Sequence, residues 1–248
     1  MNKQESSEWF KDWFNSPYYH ILYNHRDEIE ANQFMDRLIG FLNPSSDARL
    51  LDLACGRGRH AIFLSKKGVD VTGVDLSKES IRHASAFESD QLHFYVHDMR
   101  NLLTTNYFDY VLNLFTSFGY FERSWENQRV VMNMARTLKP GGKLVLDFFN
   151  AEHLLDHQGS EEVKEVQGIQ FSIRKEVKGE RIIKSIQFEA EGKAFAFEEK
   201  VMLLKPADFE GYFMVAGLKV CNVFGNYKLD EFDPAHSDRL IYIAEKIS

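Results

Sequence analysis

Residues 49–77 read RLLDLACGRGRHAIFLSKKGVDVTGVDLS, and the fold follows from this stretch. Leu50 to Ala54 is a short apolar run of the length typical of a buried parallel strand. Gly56 and Gly58 then form a turn, and a helix is predicted from His60 to Lys67. Strand, glycine turn and helix in this order make the first half of a βαβ unit.

The second half of this unit ends on an acid. Gly68 ends the helix where a positive φ is cheap, Val69 to Val74 alternates apolar with polar residues, and Asp75 follows. Because Gly56 and Gly58 lack a Cβ atom, a ligand can approach the backbone of the turn. An acid about 20 residues after such a turn is placed to accept hydrogen bonds from ribose hydroxyls. The unit predicts a nucleotide-like ligand, and the alternative is an ordinary tight turn with a solvated Asp75.

The glycine turn is compatible with two cofactors. Residues 56–61, GRGRHA, match the dinucleotide fingerprint G-x-G-x-x-A of NAD(P) enzymes. The acid Asp52 stands inside the first strand, in the order Asp-x-Ala-Cys-Gly-x-Gly. That order resembles motif I of the class I methyltransferases that depend on S-adenosylmethionine (SAM). Residues further along the chain separate the two interpretations.

The composition places the chain among soluble globular proteins. Its 248 residues are enough for one sizeable core with an insertion or lid. Hydrophobic residues make up 44% and charged residues 27%, which are ordinary values. A net charge of −7 without a basic run argues against a nucleic-acid or anionic-membrane surface. With no apolar stretch of membrane-spanning length, and with Cys55 and Cys221 as the two cysteines, a cytoplasmic protein is predicted.

A third strand is predicted at Leu92 to Val96, and a polar segment follows it. Asp98 is placed there to accept a hydrogen bond from an exocyclic amine such as adenine N6, with Met99 against the ring. His93 and His97 share a face of the strand, but no further ligand residues accompany them. A metal site is therefore not predicted.

Two later segments complete the resemblance. FDYV at 108–111 begins a fourth strand. LKPGGKL at 138–144 ends a helix predicted from Trp125 to Leu138 and leads into a fifth buried strand, Lys143 to Phe149. Taken with the earlier motifs, residues 45–150 resemble the class I SAM-dependent methyltransferases of the small-molecule type.

The resemblance implies a Rossmann-like, seven-stranded and mostly parallel α/β sheet, with SAM as the cofactor and S-adenosyl-L-homocysteine (SAH) as the product. It also implies a set of cofactor-binding residues: Asp52, Ala54, Gly56, Gly58, Asp75, Leu76, Asp98, Met99, Leu114, Phe115, Tyr23 and Arg26. The motif I residues surround the methionine part, Asp75 holds the ribose hydroxyls, and Leu76 lies beside the adenine. Asp98 and Met99 match the pair at the adenine edge. His60 stands where the fuller GxGxG pattern has a third glycine.

The remaining residues of this set face the sulfur and the carboxylate of SAM. Leu114 or Phe115 matches the position near the sulfonium. Tyr23 and Arg26 match an N-terminal pair over the carboxylate, which Arg can bind bidentately. The alternative for the tyrosine-rich segment 18–26 is a helix packed by its tyrosines.

The chain after residue 150 changes character. One-sided alternation predicts an antiparallel meander inserted after the fifth strand, built from three runs: Val163–Val177, Arg181–Glu189 and Ala194–Leu204. The predicted domains are a helical lid at 1–43, a SAM-binding core at 44–150, the inserted sheet over the acceptor site at 151–204, and a last helix with a closing antiparallel strand pair at 205–248. Homodimerisation through an exposed edge strand is the alternative role for the inserted sheet.

The sequence thus predicts a SAM-dependent methyltransferase that moves a methyl group to a small-molecule acceptor by in-line displacement. No nucleic-acid, membrane or metal partner is predicted. An NAD(P)-dependent oxidoreductase and a non-catalytic SAM-binding protein are the alternatives. His20 and His25 are candidate bases because imidazole titrates near neutrality, although surface or packing roles account for them better, and no catalytic residue is assigned. Methylation of nitrogen, oxygen or carbon is compatible with these residues.

Overall fold

The computed structural model describes residues 9–23, 28–155 and 161–247. The helices are α1 (Trp9–Phe14), α2 (Pro17–Tyr23), α3 (Glu28–Leu42), α4 (Arg59–Ser65), α5 (Lys78–Ala84), α6 (Ser124–Thr137), α7 (Ala151–Leu155) and α8 (Pro206–Ala216). The strands are β1 (Arg49–Leu53), β2 (Asp70–Asp75), β3 (Leu92–Val96), β4 (Phe108–Asn113), β5 (Leu138–Phe149), β6 (Glu161–Val166), β7 (Ile169–Lys178), β8 (Arg181–Ala190), β9 (Lys193–Met202), β10 (Leu218–Phe224) and β11 (Arg239–Lys246).

The central sheet has seven strands in the order β10-β11-β5-β4-β1-β2-β3. Strands β5, β4, β1, β2 and β3 are parallel, and β11 is antiparallel to both β5 and β10. This topology confirms the predicted Rossmann-like sheet. Chain order changes direction between β1 and β4, so the loops that leave these two strands diverge and open a crevice at their carboxyl ends.

Helices cover both faces of this sheet because the strands are apolar on both sides. On one face α3 buries Phe34, Met35 and Leu38 completely. On the other face the apolar sides of α6 and α8 pack, with residues such as Val130 and Phe209 fully buried. This is the arrangement expected when parallel strands read as nearly continuous hydrophobic runs.

A second, antiparallel sheet follows β5 in the order β6-β7-β8-β9. The predicted inserted meander is confirmed, but the single run at Val163–Val177 was wrong, since it forms the two strands β6 and β7. Gln167 and Gly168 turn the chain between them with φ values of 52° and 77°. Two consecutive positive φ values are what a two-residue hairpin turn needs, and the Gln-Gly pair was overlooked as a turn signal.

The start of β5 also differs from the prediction. We expected residues 139–142 to end the preceding helix and the strand to begin at Lys143, whereas β5 begins at Leu138. Leu138 pairs with Phe108 and Lys143 pairs with Tyr110, so the four intervening residues lie opposite a single residue of β4. Pairing on both sides of this irregularity makes the Pro-Gly-Gly segment a bulge within one strand.

The second sheet is attached to the loop that follows β4. The Met202 N–H donates to the Gly119 carbonyl at 2.8 Å. Arg181 donates through Nη2 to the Phe121 carbonyl at 2.9 Å and to the Glu122 carbonyl at 2.8 Å. The sheet is therefore held over the carboxyl end of β4. None of the helices in the described ranges is long and apolar enough to cross a membrane.

Candidate functional site

Two adjoining cavities lie at the carboxyl ends of β1, β2 and β4. The larger cavity has a volume of about 230 Å³ and the smaller about 110 Å³. Their shared walls are formed by Phe14, Tyr19, Ala54, Gly56, Ser117 and Tyr120. Aromatic side chains from α1, α2 and the loop after β4 thus close a crevice that begins at the glycine turn.

The structure brings most of the predicted site residues to these walls. The larger cavity holds Tyr23, Asp52, Ala54, Gly56, Leu114 and Phe115. The smaller cavity shares Ala54 and Gly56 and adds Asp75, Leu76, Asp98 and Met99. Gly58 lines neither cavity. Arg26 and the candidate base His25 lie outside the described residues.

Asp52 places a carboxyl oxygen without a hydrogen-bond partner among the described residues in the wall of the larger cavity. Its side chain comes from β1 and is only 3% exposed. Its Oδ2 atom has no hydrogen-bond partner among the described residues. Burial, reinforced by the nearby carboxylate of Asp75, raises the pKa of Asp52 from 3.8 to about 7. A buried oxygen without a donor calls for a ligand that brings a cation or an N–H group.

Asp75 shapes the glycine turn and faces the smaller cavity. Its Oδ2 accepts from the Gly56 N–H at 2.9 Å, and its Oδ1 accepts from the Ser77 N–H at 2.8 Å. Burial raises the pKa of Asp75, and the backbone hydrogen bonds of Ser77 and Gly56 oppose that rise. A third backbone hydrogen bond, from Leu76, also reaches this carboxylate. Since a carboxylate has about four acceptor sites, Asp75 can still accept a hydrogen bond from a ligand in the smaller cavity.

The two glycines of the turn have different roles. Both have positive φ values, 56° at Gly56 and 79° at Gly58. A Cβ atom on Gly56 would meet nothing within 4 Å, because this residue faces the cavities. A Cβ atom on Gly58 would lie 2.6 Å from Cζ of the Phe94 ring. Gly56 therefore keeps the cavity open, whereas Gly58 allows the turn to pack against β3.

Substituting these glycines separates the two roles. Gly58→Ala is expected to lower the free energy of unfolding by about 2–4 kcal/mol, since overpacking and a left-handed φ both count against it. Gly56→Ala has only the left-handed φ to accommodate and should lower the free energy of unfolding by about 1 kcal/mol. Urea denaturation of both variants measures this difference. Equal losses would contradict the distinct roles.

Asp98 is already paired in the smaller cavity. Nη2 of Arg100 lies 2.6 Å from its Oδ2, and the Arg100 N–H donates to its Oδ1 at 3.0 Å. Arg100 also reaches Glu126 at 3.4 Å. The sequence predicted Asp98 as an acceptor but not this arginine, which fixes the orientation of the carboxylate beside Met99.

The turn after β4 is held in an unusual backbone conformation. Phe115 and Thr116 have φ values of 57° and 61°, a region that costs residues with a Cβ roughly 1–2 kcal/mol each. The Phe115 N–H donates to Oδ2 of Asp147 at 2.7 Å. Arg239 donates through Nε to Oδ1 of Asp147 and through Nη2 to Oγ1 of Thr116, both at 2.9 Å. Asp147 is fully buried, so a buried ion pair lies directly behind the turn.

A polar cluster that sequence reasoning missed joins α1 and α2 to the second sheet. Glu199 on β9 lines the larger cavity. Its Oε1 accepts from Trp13 Nε1 at 2.8 Å and from the Tyr23 hydroxyl at 2.5 Å. Lys184 on β8 contacts the Tyr23 hydroxyl and lies 3.8 Å from Oε2 of Glu199. No local pattern distinguishes Glu199, because it stands in the charged triplet 198–200. Its partners Trp13 and Tyr23 are 186 and 176 residues away in the sequence.

His20 lines the larger cavity in a neutral form. It is half-buried, and its Nε2 lies 3.4 Å from the Ser80 hydroxyl. Burial, followed by the positive charge of Arg57, lowers the pKa of His20 to about 4. At pH 7 its imidazole is unprotonated but is a weaker base than an ordinary histidine. Among the described residues, no group of three or more His, Cys, Asp or Glu side chains could hold a metal ion.

Comparisons with known proteins give one family. A family model described as a methyltransferase domain matches residues 50–142. The chain is 29% identical over 200 residues to dTDP-3-amino-3,4,6-trideoxy-alpha-D-glucopyranose N,N-dimethyltransferase of Streptomyces venezuelae, covering 77% of this chain and 83% of that one.

Solved structures show the same fold. A SAM-dependent methyltransferase of Clostridium acetobutylicum superposes with a TM-score of 0.77 at 22% identity, over 92% of this chain and 95% of that chain. A SAM-bound amino pentose methyltransferase of Micromonospora echinaspora superposes with a TM-score of 0.72 at 22% identity, over 93% and 97%. The comparisons favour the methyltransferase interpretation of the glycine turn over the dinucleotide one.

Proposed function

As this chain is a class I SAM-dependent methyltransferase, we propose that it methylates an amino group on a small, sugar-like acceptor. Two observations support the choice of acceptor. The Streptomyces relative is named for N,N-dimethylation of an amino-trideoxy sugar nucleotide, and the Micromonospora protein for an amino pentose. The second observation is a carboxylate, Glu199, in the wall of the larger cavity.

The cavities fit SAM at both of its ends. The unpartnered Oδ2 of Asp52 matches the ammonium of the methionine part. Asp75 lines the smaller cavity and is oriented by the Gly56 and Ser77 N–H groups, which suits an acceptor for the ribose hydroxyls. Asp98 and Met99 stand where an adenine edge and ring would lie, in the same cavity as Asp75. The open space at Gly56 lets the ligand pass over the backbone of the turn between these ends.

The chain's part in the reaction is positional. When bound, SAM supplies a methyl group that its sulfonium charge has already activated for displacement. The residues of the larger cavity must then hold the acceptor nitrogen about 3 Å from the methyl carbon and in line with the carbon–sulfur bond. Phe115 and Tyr120 line this cavity, where their rings exclude water and offer π-faces to a cation.

Glu199 is the observation that carries the amine assignment. Its Oε1 accepts from Trp13 and Tyr23, whereas within the described part of the chain no donor lies within hydrogen-bond distance of Oε2, since Lys184 is 3.8 Å away. Oε2 is thus the oxygen available to a donor from the acceptor. An amine or ammonium gives a carboxylate a charge-assisted hydrogen bond, which is stronger than that of a neutral hydroxyl. The guanidinium groups of Arg57 and Arg59 line the same cavity and suit an anionic part of the acceptor.

The covering elements are part of this proposal. We infer that the N-terminal segment 1–43 acts as a lid and that the inserted segment 151–204 covers the acceptor. Trp13 and Tyr23 from the lid both donate to Glu199 of the insertion, which supports closure of the two over one cavity. The cytoplasmic location and the homodimer stay predictions of the sequence.

Methyl transfer from radiolabelled SAM tests the acceptor class. The substrates are a nucleotide-linked amino sugar and its counterpart with a hydroxyl in place of the amine. We expect label on the amino compound only. Label on the hydroxyl compound alone would contradict the amine assignment. Calorimetric titration with SAM, SAH, NAD and NADP tests the cofactor in parallel, and only SAM and SAH are expected to bind at micromolar concentration.

Neutralising Glu199 should affect the acceptor and spare the cofactor. Glu199→Gln keeps an oxygen for Trp13 and Tyr23 but removes the charge, so kcat/KM for the amino acceptor should fall about 10- to 100-fold, the range of a charge-assisted hydrogen bond. The dissociation constant of SAM should change less than twofold. Glu198→Gln is the matched control, because Glu198 is adjacent, more exposed at 42%, and paired with Lys200. Equal effects of the two variants would contradict a role for Glu199 in acceptor binding.

A further inference from the structure

We propose that Asp147 and Arg239 are positioning residues, which hold the Phe115–Thr116 turn against the methyl donor and so set how strongly the site prefers SAM to SAH. The inference rests on the proposed function, because it takes SAM as the ligand of the cavities. Neither Asp147 nor Arg239 is among the residues that line the two cavities described above, so in this proposal both act through the turn.

The contacts between the ion pair and the turn are specific. Asp147 accepts the Phe115 N–H at 2.7 Å with one oxygen and Arg239 Nε at 2.9 Å with the other. Arg239 extends this chain to Oγ1 of Thr116 at 2.9 Å. The Thr116 N–H donates to the Asp147 carbonyl at 3.2 Å. Two consecutive residues with positive φ are thereby fixed from one side by one buried pair.

An aromatic clamp holds the Phe115 side chain from the other direction. Its ring stacks on His60 with centroids 4.6 Å apart and an interplanar angle of 8°. Tyr227 lies against it at 5.2 Å, and the Tyr227 hydroxyl reaches Oδ2 of Asp147 at 3.3 Å. Asp147 therefore collects donors from the backbone of Phe115, from Arg239 and from Tyr227, all of which bear on the orientation of Phe115.

A buried ion pair is weak evidence for stability, since desolvation of the two charges offsets their attraction. Its hydrogen bonds do, however, fix a geometry. Here that geometry belongs to the cavity wall formed by Leu114, Phe115 and Ser117, which lies in the same cavity as Asp52. The ion pair is thus placed to set the position of an aromatic face in the site.

SAM and SAH provide a readout for this position. The two ligands share the adenosine and the amino-acid part, and they differ by one methyl group and one positive charge. Contacts of Asp52, Asp75 and Asp98 with the shared parts contribute equally to the affinities for SAM and SAH. An aromatic face near the sulfur attracts the cation only, so displacement of the turn should change the affinity for SAM alone.

The test is calorimetric titration of SAM and SAH into Thr116→Val and Arg239→Lys. Val keeps the shape of Thr but cannot accept from Arg239, and Lys keeps a charge but cannot reach both partners. In both variants we expect the dissociation constant of SAM to rise about 5- to 20-fold and that of SAH to change less than twofold. Asp109→Asn is the matched control, because it breaks the Lys139–Asp109 ion pair at 2.8 Å, located at the opposite end of the same sheet. This variant should leave both constants unchanged.

The outcomes separate the two proposals. Equal weakening of SAM and SAH, or no change in either, overturns the positioning role while leaving the proposed function intact. Failure of the unmodified protein to bind either ligand overturns the proposed function and this inference with it. If Arg239→Lys does not fold, Thr116→Val alone decides, because it retains the ion pair. A selective loss of SAM affinity in the control variant would also overturn the proposal.

Discussion

Asp52→Asn is expected to weaken SAM binding by about 10- to 100-fold and, at pH 8, to stabilise the ligand-free protein. The binding loss follows from removing the charge of a buried carboxyl group whose Oδ2 atom has no hydrogen-bond partner among the described residues, and hydrogen bonds to charged groups contribute about 1.5–3 kcal/mol. The carboxylate has an oxygen without a donor among the described residues, is 3% exposed and has a pKa of about 7. The burial that strengthens the contact of this carboxylate with the ligand also makes its ionised form unfavourable in the ligand-free protein.

The pH dependence of this stabilisation has a definite sign. The pKa of Asp52 is raised on folding from 3.8 to about 7, so the folded protein favours the protonated acid. Below pH 4 Asp and Asn should behave alike. The free energy of unfolding of the Asn variant should exceed that of the unmodified protein by an amount that grows between pH 4 and pH 7 and is constant above pH 7. At 1.36 kcal/mol for each pH unit, this difference has an upper bound of roughly 4 kcal/mol. Thermal unfolding of both proteins at pH 5 and pH 8 measures it.

SAM binding to the unmodified protein should follow the same titration. The ammonium of the ligand favours the ionised form of Asp52, so binding releases a proton, and affinity should fall as the pH drops below 7. Calorimetry in two buffers of different ionisation enthalpy counts that proton, and Asp52→Asn serves as the control without it. A SAM affinity that stays within threefold in this variant would contradict the placement of the ammonium at Asp52.

Asp75→Ala is expected to give the larger loss of SAM affinity, about 100-fold or more. The substitution removes the acceptor that we assign to the ribose hydroxyls and also the acceptor of the Gly56 N–H, which donates to it at 2.9 Å. Two charged hydrogen bonds at about 1.5–3 kcal/mol each set the scale. The protein should remain folded, because Asp75 lies at the end of β2 and burial already raises the pKa of its carboxyl.

Asp70→Ala is the matched control for this variant. Asp70 begins the same strand, its side chain is 40% exposed, and it lies 3.9 Å from Arg49 at the end of the sheet remote from the cavities. Titration of SAM into both variants compares them directly. An unchanged SAM affinity in Asp75→Ala would contradict the ribose assignment. A similar loss of SAM affinity in Asp70→Ala would show that the effect comes from the strand and not from the site.

Local patterns were sufficient to predict individual strands of the central sheet, whereas its seven-stranded, mostly parallel arrangement was what the family resemblance implied. The apolar runs at 50–54 and 108–115 and the glycine signals between the strands are properties of neighbouring residues, so each strand and its following turn could be recognised separately. Where the local signal was ambiguous, the prediction was wrong. Gln167–Gly168 divides an otherwise continuous run, and the glycines at 141 and 142 stand within a strand.

The cavity walls could be predicted only where a motif supplied them. Asp52 and Asp75 belong to one βαβ unit, so their spacing along the chain determines their proximity. Glu199 lines the larger cavity and Arg239 lies behind the Phe115–Thr116 turn. Both come from elements that are distant in sequence from the glycine turn, and no spacing rule links them to it. One signal was present: Asp147 is a single acid within the apolar run LVLDFF, and a buried acid requires a cationic or donor partner. The sequence does not specify which of many cations that partner is.

The place of β11 between β5 and β10 has a consequence for the order in which the two halves of the site fold during synthesis. The half of the site that we assign to the adenosine of SAM is built on β1, β2 and β3, which follow one another closely and can pair as soon as they leave the ribosome. Asp147 must wait for Arg239, which is 92 residues further along, before its charge is compensated. Contacts of such long sequence separation form slowly. The nascent chain therefore completes first the half that we assign to the nucleoside, and the half proposed to orient the methyl group forms only after β11 has been synthesised.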